Sequence, residues 1–251
     1  MKTERIISRQ NPLLVHVCKL LSSRAYRTKH CEFAADGTKL LWEAIRWGAP
    51  LKTVILTAGA VDFVIPAGVR IVEVPEDVMS SVSVMEAPQG AIFICGMPQE
   101  RDLQITSGSL ILDGLQDPGN VGTILRTADA FDIPVILSSG CADLYNPKTV
   151  RATMGALFRM NVQCASRQQI LQRCGEQNIP IYSTALTERA MDLRRIRLDG
   201  AVVIGSEGNG VCSEFLQASE KEIIIPMSAR CESLNAASAA TVVMWEMMNR
   251  K

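Results

Sequence analysis

The chain has 251 residues, of which 47% are hydrophobic and 21% are charged, so its composition is that of a globular protein and excludes a disordered one. Basic and acidic residues are equal at 26 each, so net charge indicates no partner. The first thirty residues nevertheless hold seven basic side chains against one acidic side chain. This asymmetry favours a polyanion at the amino end, although a solvated helix face explains it equally well.

The first hundred residues predict a small α/β unit. Apolar side chains between residues 11 and 21 recur at helical spacing. A second amphipathic helix is predicted over residues 36–47, with Trp47 among its inward-facing side chains and Gly48 at its end. The remaining predicted elements are strands at 53–56, 69–74 and 91–95 and a short helix at 75–84.

A polar segment that contains glycine and proline, residues 96–102, is predicted to be the linker to a second domain. Beyond it, apolar runs alternate with helix-length segments. The predicted strands are 110–112, 135–137, one beginning at 162, 181–183, 202–204 and 223–225, and the predicted helices are 120–130, 149–158, 170–177 and 233–249. This alternation is typical of a mostly parallel sheet. We predict two domains, residues 1–98 and 106–251.

The first candidate site follows the strand at 110–112. Residues 113–119 form a turn sequence, and Asn120 is predicted to cap the helix after it. Arg126 lies in the second turn of that helix among apolar neighbours, so it is paired, snorkelling or turned into a pocket. The residues alone leave these alternatives open, as they do a plain capping role for Asn120.

The second candidate site is the glycine-rich loop Gly205–Gly210 after the strand at 202–204. Its spacing differs from the dinucleotide fingerprint, and no acidic residue ends the next strand because Glu222 precedes that strand. A nicotinamide-dependent enzyme is therefore a weak interpretation. The glycines permit close backbone approach to a ligand, with Glu207 held in the turn. A surface turn with a solvated glutamate is the alternative.

The third candidate site begins with Ile225-Pro226-Met227 and continues at Ser233-Leu234-Asn235. Ser233 is predicted to cap the last helix, and Asn235 to lie in its first turn. Backbone donors at a helix start suit an anionic group, although simple capping explains these residues as well. Ligands of open α/β sheets bind beyond the carboxyl ends of the strands, so the second and third sites together predict one pocket.

Two further basic groups favour a nucleic-acid partner modestly, and each is also explained as a solvated face. They are Lys148, Arg151 and Arg159, and Arg189, Arg194, Arg195 and Arg197. The eight cysteines form no C-x-x-C pair, and His16 and His30 are the two histidines, so we expect no metal site. The sequence contains neither a signal-peptide core nor a run of about eighteen apolar residues, from which we expect a cytoplasmic protein without a membrane segment.

The three sites, in this order, resemble the three motifs of the SpoU (TrmH-like) class of SPOUT RNA methyltransferases. The matching patterns are Asn120-x-Gly122-x-x-x-Arg126, Gly205-x-Glu207-Gly208-x-Gly210, and Ile225-Pro226-Met227 with Ser233-Leu234-Asn235. The resemblance is strong over residues 106–251. It is looser over 1–98, which resembles the ribosomal-protein-like RNA-binding domain that many members carry in front. The chain departs from many members at Ser228, where they have glycine, and at Ala236-Ala237, where they have Val-Ser.

The resemblance implies an α/β fold with a trefoil-knotted, mostly parallel sheet, a homodimer, and S-adenosylmethionine as methyl donor for a ribose 2′-hydroxyl in RNA. It implies catalytic and substrate-binding roles for Asn120, Arg126, Glu207, Ser233 and Asn235. It implies cofactor contacts at Leu186, Gly205, Ile225, Met227 and Leu234. Ribosomal RNA is favoured, because a separate RNA-binding domain suits a large structured target, and transfer RNA is the alternative. A non-catalytic RNA-binding or ribosome-assembly protein on the same scaffold is the competing class, and the complete motif set argues against it.

Overall fold

The structure is a computed structural model that describes residues 3–98, 102–228 and 230–249. It divides into two compact units. Unit 1 contains the described residues up to 98 together with the later segment Asp143–Arg159, and unit 2 contains the other described residues from 102 onwards. The predicted domains, 1–98 and 106–251, stay predictions. The sequence did not indicate that a segment inside the second domain belongs with the first unit.

Regular structure begins with a short strand and alternates from there between helices and strands. Up to residue 98 the elements are β1 (Glu4–Arg5), α1 (Pro12–Ser22), α2 (Arg24–His30), β2 (Glu32–Asp36), α3 (Thr38–Arg46), β3 (Leu51–Leu56), β4 (Arg70–Glu73), α4 (Glu76–Val82) and β5 (Ala91–Gly96).

The same alternation continues from residue 102. The elements are β6 (Leu110–Asp113), α5 (Pro118–Ala130), β7 (Val135–Ser138), α6 (Pro147–Ala152), β8 (Val162–Ala165), α7 (Arg167–Glu176), β9 (Ile181–Thr184), β10 (Met191–Asp192), β11 (Ala201–Gly205), α8 (Ser213–Ala218), β12 (Lys221–Ile224) and α9 (Ala236–Asn249). Short 3-10 turns occupy Ala156–Phe158 and Leu193–Arg195.

Unit 1 is built on a five-stranded sheet of order β1-β4-β3-β5-β2, in which β5 runs antiparallel to both of its neighbours. Successive side chains of a strand point to opposite faces. Ile55 of β3 accordingly packs with α1 and α4 on one face, whereas Val54 packs with α3 on the other. Val150 of α6 is buried in the second cluster. The segment Asp143–Arg159 thus supplies part of the core of unit 1.

The second predicted helix is shorter than expected. Asp36, its predicted start, belongs to β2, and the helix begins at Thr38. The prediction that Trp47 faces inward is wrong, because the helix ends at Arg46 and the Trp47 side chain is 47% exposed. Gly48, with φ of +65°, ends the helix as predicted.

One of the basic side chains near the amino end is not available to a polyanion. Arg27 is 3% exposed, and its Nε and Nη2 donate to Asp143 Oδ2 at 3.0 and 2.5 Å. Its Nη1 donates to the Leu20 carbonyl at 2.6 Å. A buried guanidinium needs such partners because it has lost its water. Arg27 therefore stabilises unit 1 and is not part of the expected basic surface.

Unit 2 contains a seven-stranded sheet of order β10-β12-β9-β11-β6-β7-β8, and every neighbouring pair is parallel. This confirms the predicted α/β class with a mostly parallel sheet. Gly205 at the end of β11 pairs in register with Asp113 at the end of β6. The carboxyl ends of β6, β9, β11 and β12 therefore lie side by side. Among the described residues, we find no helix long and apolar enough to span a membrane.

The helix predicted at 149–158 is interrupted. Met154 and Gly155 adopt φ of +51° and +95°, which ends α6 and leaves a separate 3-10 turn at Ala156–Phe158. Both pieces belong to unit 1. The elements β1, α2, β2, β10 and α8 were not predicted, because they are short and their sequences are polar or mixed.

Candidate active site

A cavity of about 430 Å³ lies at the carboxyl ends of β9, β11 and β12. Its wall contains the five residues for which the sequence predicts cofactor contacts, Leu186, Gly205, Ile225, Met227 and Leu234. Glu207 and Ser233 also line it. Three loops that are separate in sequence therefore meet at one cavity, as expected for an open parallel sheet.

The loop Gly205–Gly210 turns back on itself at the cavity wall. The Ser206 amide donates to the Gly210 carbonyl at 3.1 Å, and the Gly210 amide donates to the Ser206 carbonyl at 2.9 Å. A Cβ on Gly205 would lie 2.1 Å from the Gly210 carbonyl carbon, so no other residue fits there without moving the loop. Gly205 thus places bare main chain against the cavity.

Three of the predicted catalytic residues form one hydrogen-bonded chain. Asn120 Nδ2 donates to Glu207 Oε1, and Asn235 Nδ2 donates to Asn120 Oδ1 at 3.1 Å. The Asn120 amide is therefore oriented by a partner at each end. It joins the glycine-rich loop to the start of the last helix.

The structure corrects both predicted helix caps. Asp117, not Asn120, caps α5, because its Oδ1 accepts from the Asn120 backbone amide at 2.8 Å. Asn235, not Ser233, caps α9, because its Oδ1 accepts from the amides of Ala237 and Ser238 at 2.9 and 3.3 Å. The starts of α5 and α9 consequently meet near the Glu207 carboxylate, and the positive ends of helix dipoles favour an anion.

Arg126 stands apart from these residues. It is exposed on α5, six residues beyond Asn120, which is about 9 Å along a helix. In the part of the chain that the structure describes, we find no hydrogen bond or ion pair to its guanidinium. The structure therefore brings together Asn120, Glu207, Ser233 and Asn235, but not Arg126.

Sequence reasoning assigned no role to Asp113, which ends β6 and is 1% exposed. Its Oδ1 accepts from Ser138 Oγ and from Arg167 Nε, both at 2.7 Å, and its Oδ2 accepts from the Cys212 amide at 2.9 Å. Burial favours a raised pKa for Asp113, but these donors outweigh it and hold the pKa below its ordinary value. Cys212 follows the glycine-rich loop, so Asp113 anchors the loop exit. An acidic residue that ends an apolar strand was the available signal.

Glu222 in β12 anchors another loop of the site. It is 7% exposed and accepts from Thr187 Oγ1 at 2.5 Å, and Arg189 Nη2 lies 2.5 Å from its other oxygen. The hydrogen bond from Thr187 and that from Arg189 lower the pKa of Glu222. Both donors belong to the loop that carries Leu186, whose side chain is 67% exposed at the cavity. Glu222 thus fixes this loop through its contacts with Thr187 and Arg189.

Several arginines of the two predicted basic groups are engaged in ion pairs. Arg159 pairs with Glu43, Arg189 with Glu222, and Arg194 with Asp192, at 2.9, 2.5 and 2.7 Å. These pairs weaken the simple interpretation of two basic stripes that face a nucleic acid.

Both histidines lie in unit 1 near one carboxylate. The ligand atoms of His16, His30 and Glu32 lie within 4.8 Å of one another. His16 Nε2 is 2.8 Å from Glu32 Oε2, and Lys52 Nζ lies 2.6 Å from Glu32 Oε1. Because an ammonium group already neutralises this carboxylate, we interpret the cluster as structural. The expected absence of a metal stays a prediction.

Residues 108–245, more than half of the chain, match the family model described as the SpoU rRNA Methylase family. The chain belongs to the SpoU rRNA methylase family. Residues 13–92 match a second model, the MRM3-like substrate binding domain. The family resemblance stated from the motifs is thereby confirmed.

Individual relatives extend over almost the whole chain. The chain is 30% identical over 232 residues to the 23S rRNA (guanosine(2553)-2′-O)-methyltransferase RlmP of Bacillus subtilis. This alignment covers 91% of the chain and 93% of that protein. The structure of a putative RNA methyltransferase of the TrmH family from Porphyromonas gingivalis is 32% identical, with a TM-score of 0.86 and coverage of 96% and 99%. The S-adenosylmethionine-bound rRNA methyltransferase of Sinorhizobium meliloti is 27% identical, with a TM-score of 0.86 and 98% of each chain covered.

These similarities confirm the predicted fold class, the methyltransferase activity and the S-adenosylmethionine cofactor of this SpoU-family chain. The cavity suits that cofactor, because apolar side chains of Leu186, Ile225, Met227 and Leu234 stand beside the bare backbone at Gly205. Small-molecule sites combine such apolar walls with a few polar groups. The roles of the individual residues stay predictions.

Asp113→Asn should destabilise the protein in a pH-dependent way. Since the folded pKa of Asp113 is below the unfolded value of about 3.9, the ionised carboxylate stabilises the fold above that pH, and the stabilisation is lost as pH falls through the folded pKa. We expect the variant to lose about 2 kcal/mol at pH 7 and the difference to shrink below about pH 4. Calorimetry across this range measures it. Glu220→Gln, an exposed change in the same unit, is the control, and a pH-independent difference would contradict the assignment.

Glu222→Gln should weaken cofactor binding without altering any residue of the cavity wall. The amide keeps the shape of the side chain but loses the charge that holds Arg189, so the loop with Leu186 becomes less ordered. We expect the Kd for S-adenosylmethionine to rise about fivefold, which corresponds to about 1 kcal/mol. Isothermal titration measures it, with the exposed neighbour Glu220→Gln as control. Equal affinities of Glu222→Gln and the wild type would refute this role.

Proposed function

We propose that this SpoU-family chain transfers a methyl group from S-adenosylmethionine to a ribose 2′-hydroxyl of ribosomal RNA. The observation that carries the proposal is that one loop, Gly205–Gly210, serves both halves of the reaction. Gly205 and Glu207 line the cavity, and the Glu207 carboxylate accepts a hydrogen bond from the Asn120 side chain. A hydroxyl that contacts Glu207 therefore stands at the cofactor cavity.

When bound, S-adenosylmethionine supplies a methyl group already activated on a sulfonium sulfur. The protein must then align the hydroxyl and help to remove its proton. We assign the alignment to Glu207, whose carboxylate accepts the hydroxyl hydrogen bond. Asn120 donates to that carboxylate, and Asn235 donates to the side-chain oxygen of Asn120 and so fixes Asn120. Ser233, at the cavity wall, offers a further hydroxyl for the ribose or the cofactor.

Arg126 suits an electrostatic role better than that of a base. Arginine is effectively always protonated in proteins, so the guanidinium of Arg126 is a poor proton acceptor. Its exposed guanidinium can instead bind an RNA phosphate or stabilise the forming alkoxide, without losing a proton. Proton removal by Arg126 is an additional role that the proposal does not need, because the Glu207 carboxylate that accepts the hydroxyl hydrogen bond can take the proton as the methyl group is transferred.

Ribosomal RNA is the proposed substrate, since the B. subtilis relative that acts on 23S rRNA aligns with 91% of this chain. The match of residues 13–92 to a substrate-binding domain model supports an RNA contact in unit 1. Such a separate module suits a large structured RNA. Transfer RNA is the alternative substrate.

The test is methyl transfer from labelled S-adenosylmethionine to ribosomal and transfer RNA, followed by mapping of the modified ribose. We expect wild type to methylate ribosomal RNA and Arg126→Ala to lose at least about 100-fold in rate, as for loss of an oxyanion stabiliser. Cofactor affinity should be unchanged, because Arg126 is absent from the cavity wall. Lys221→Ala, which removes an exposed cation of the same unit, is the matched control.

Other outcomes identify the competing classes. A protein that binds RNA but neither binds S-adenosylmethionine nor transfers methyl would be the non-catalytic binder. A melting temperature raised by a nicotinamide cofactor alone would indicate a nicotinamide-dependent enzyme. Wild-type turnover in Arg126→Ala would remove the role assigned to that residue.

We also propose that the chain is a homodimer that pairs through α5 and α9. These helices pack on each other, and Phe131 and Trp245 have ring centroids 6.0 Å apart. On the outward side of α9, Val242 is 39% and Trp245 51% exposed, one turn apart. Large apolar side chains in that position are typical of an interface. Arg126 is exposed on the neighbouring helix.

A dimer through this face explains why Arg126 stands apart from Asn120 and Glu207 in its own chain. We propose that Arg126 serves the site of the partner subunit. Co-expression of Arg126→Ala with Glu207→Ala and purification of the mixed dimer tests this. The mixed dimer should recover about half of wild-type activity, because one of two symmetric sites is complete. No recovery in a dimer of verified composition would place Arg126 and Glu207 in the same subunit.

The cytoplasmic location and the trefoil knot belong to the same proposal. All eight cysteines are free thiols in the structure, which supports a reducing compartment. The knot is supported by the resemblance to the SPOUT class and by the meeting of the last loop of the chain with the loops after β9 and β11.

A further inference from the structure

Two tryptophans of unit 1 are exposed, Trp42 in the middle of α3 and Trp47 directly after its last residue. Trp42 is 40% and Trp47 is 47% exposed. Tryptophan is highly buried on average, so two large indoles in water on adjacent turns need an explanation. Neither is part of the methyltransferase cavity.

Two arginines alternate with these rings. Arg46 Cζ lies 5.0 Å from the Trp42 ring centroid and 5.7 Å from that of Trp47. Arg159 Cζ lies 5.7 Å from the Trp47 centroid on the same unit. All three distances are within the roughly 6 Å range of cation–π contacts. We name Trp42, Arg46, Trp47 and Arg159 the tryptophan patch.

The patch is fixed by Glu43 beneath it. Glu43 Oε2 accepts from Trp47 Nε1 at 3.1 Å and from Arg159 Nη1 at 2.9 Å. Gly155 makes this arrangement fit, because a Cβ there would lie 2.6 Å from Glu43 Cγ. The Trp47 ring is therefore held in one orientation, so stacking a flat ligand on it costs little side-chain entropy.

The charge of the surface is positive. Lys39 is exposed three residues before Trp42, on the same side of α3, and adds to Arg46 and Arg159. Glu43 is the acidic member, and its carboxylate is already engaged by Arg159. Aromatic faces flanked by cations match the two recurring parts of a nucleotide, a base ring and a phosphate.

We propose that the tryptophan patch binds unpaired RNA nucleotides by stacking their bases on Trp42 and Trp47, with Lys39 and Arg46 on the phosphates. This rests on the proposed RNA substrate and names where unit 1 contacts it. Paired bases in an A-form helix cannot offer their faces to such rings, whereas loops and bulges can. A protein partner is the less favoured occupant, because three of the four patch residues lie in the segment that matches a substrate-binding domain model, and the proposed substrate is RNA.

The first experiment measures binding of the full chain to a single-stranded oligoadenylate of about 12 nucleotides and to a duplex of equal length. We expect Trp42→Ala to raise the Kd for the single strand about tenfold and to leave the duplex unchanged. Arg46→Lys should have an intermediate effect, because it keeps the charge but loses the planar face. The matched control is Val64→Ala, an exposed apolar truncation in unit 1, and all variants are checked for an unchanged Tm.

The second experiment uses tryptophan fluorescence, since the chain has three tryptophans and the third is Trp245. Stacking of a base on the patch should quench the wild-type emission. The double variant Trp42→Phe, Trp47→Phe emits from Trp245 alone and should show no quenching. Quenching that persists in this variant would overturn the proposal, as would wild-type single-strand affinity in Trp42→Ala.

These readouts separate this inference from the proposed function. Wild-type methylation together with normal single-strand binding in Trp42→Ala overturns the patch and leaves the methyltransferase intact. Loss of single-strand binding in Trp42→Ala supports the patch whether or not any methylated ribose is found. Equal weakening for single strand and duplex would show a purely electrostatic surface and would also overturn the stacking proposal.

Discussion

The side-chain amide of Asn120 is the contact on which the site depends. It gives a donor to Glu207 and an acceptor to Asn235, so one planar group joins three segments that are far apart in sequence. A carboxylate in its place would repel Glu207, and an alkyl group would leave both partners unpaired. The amide is itself positioned from below, because its backbone donates to Asp117 in the first turn of α5.

The same site shows how much a sequence can predict. Apolar runs of strand length predicted six of the seven strands of the unit 2 sheet, because a strand buried on both faces has no polar position. The ordered motifs predicted which loops meet, and the cavity contains the expected cofactor residues. The caps were wrong because Asp, Asn and Ser compete for the same position within three residues. Pro118 at the first helical position was the signal that favoured Asp117 over Asn120.

What could not be predicted depends on pairing across long distances in the chain. Arg27 contacts Asp143 and Arg167 contacts Asp113, and neither pair has a local sequence signature. The prediction that the Trp47 side chain faces inward was wrong for a related reason. Its helix ends one residue earlier, and Glu43 and Arg159 hold the ring at the surface.

The packing of Val150 into unit 1 also means that deleting residues 1–98 would uncover an apolar core, so point substitutions in the full chain are the better tests.

A cavity wall made of main chain at Gly205 has a consequence for how this protein can diverge. Every residue except proline has the same backbone amide and carbonyl, so neighbouring side chains can change while the main-chain surface does not. Gly205 is the position where this freedom ends, because the loop admits no Cβ there. The S-adenosylmethionine-bound rRNA methyltransferase of Sinorhizobium meliloti shares this fold at a TM-score of 0.86, although only 27% of its residues are identical to those of this chain.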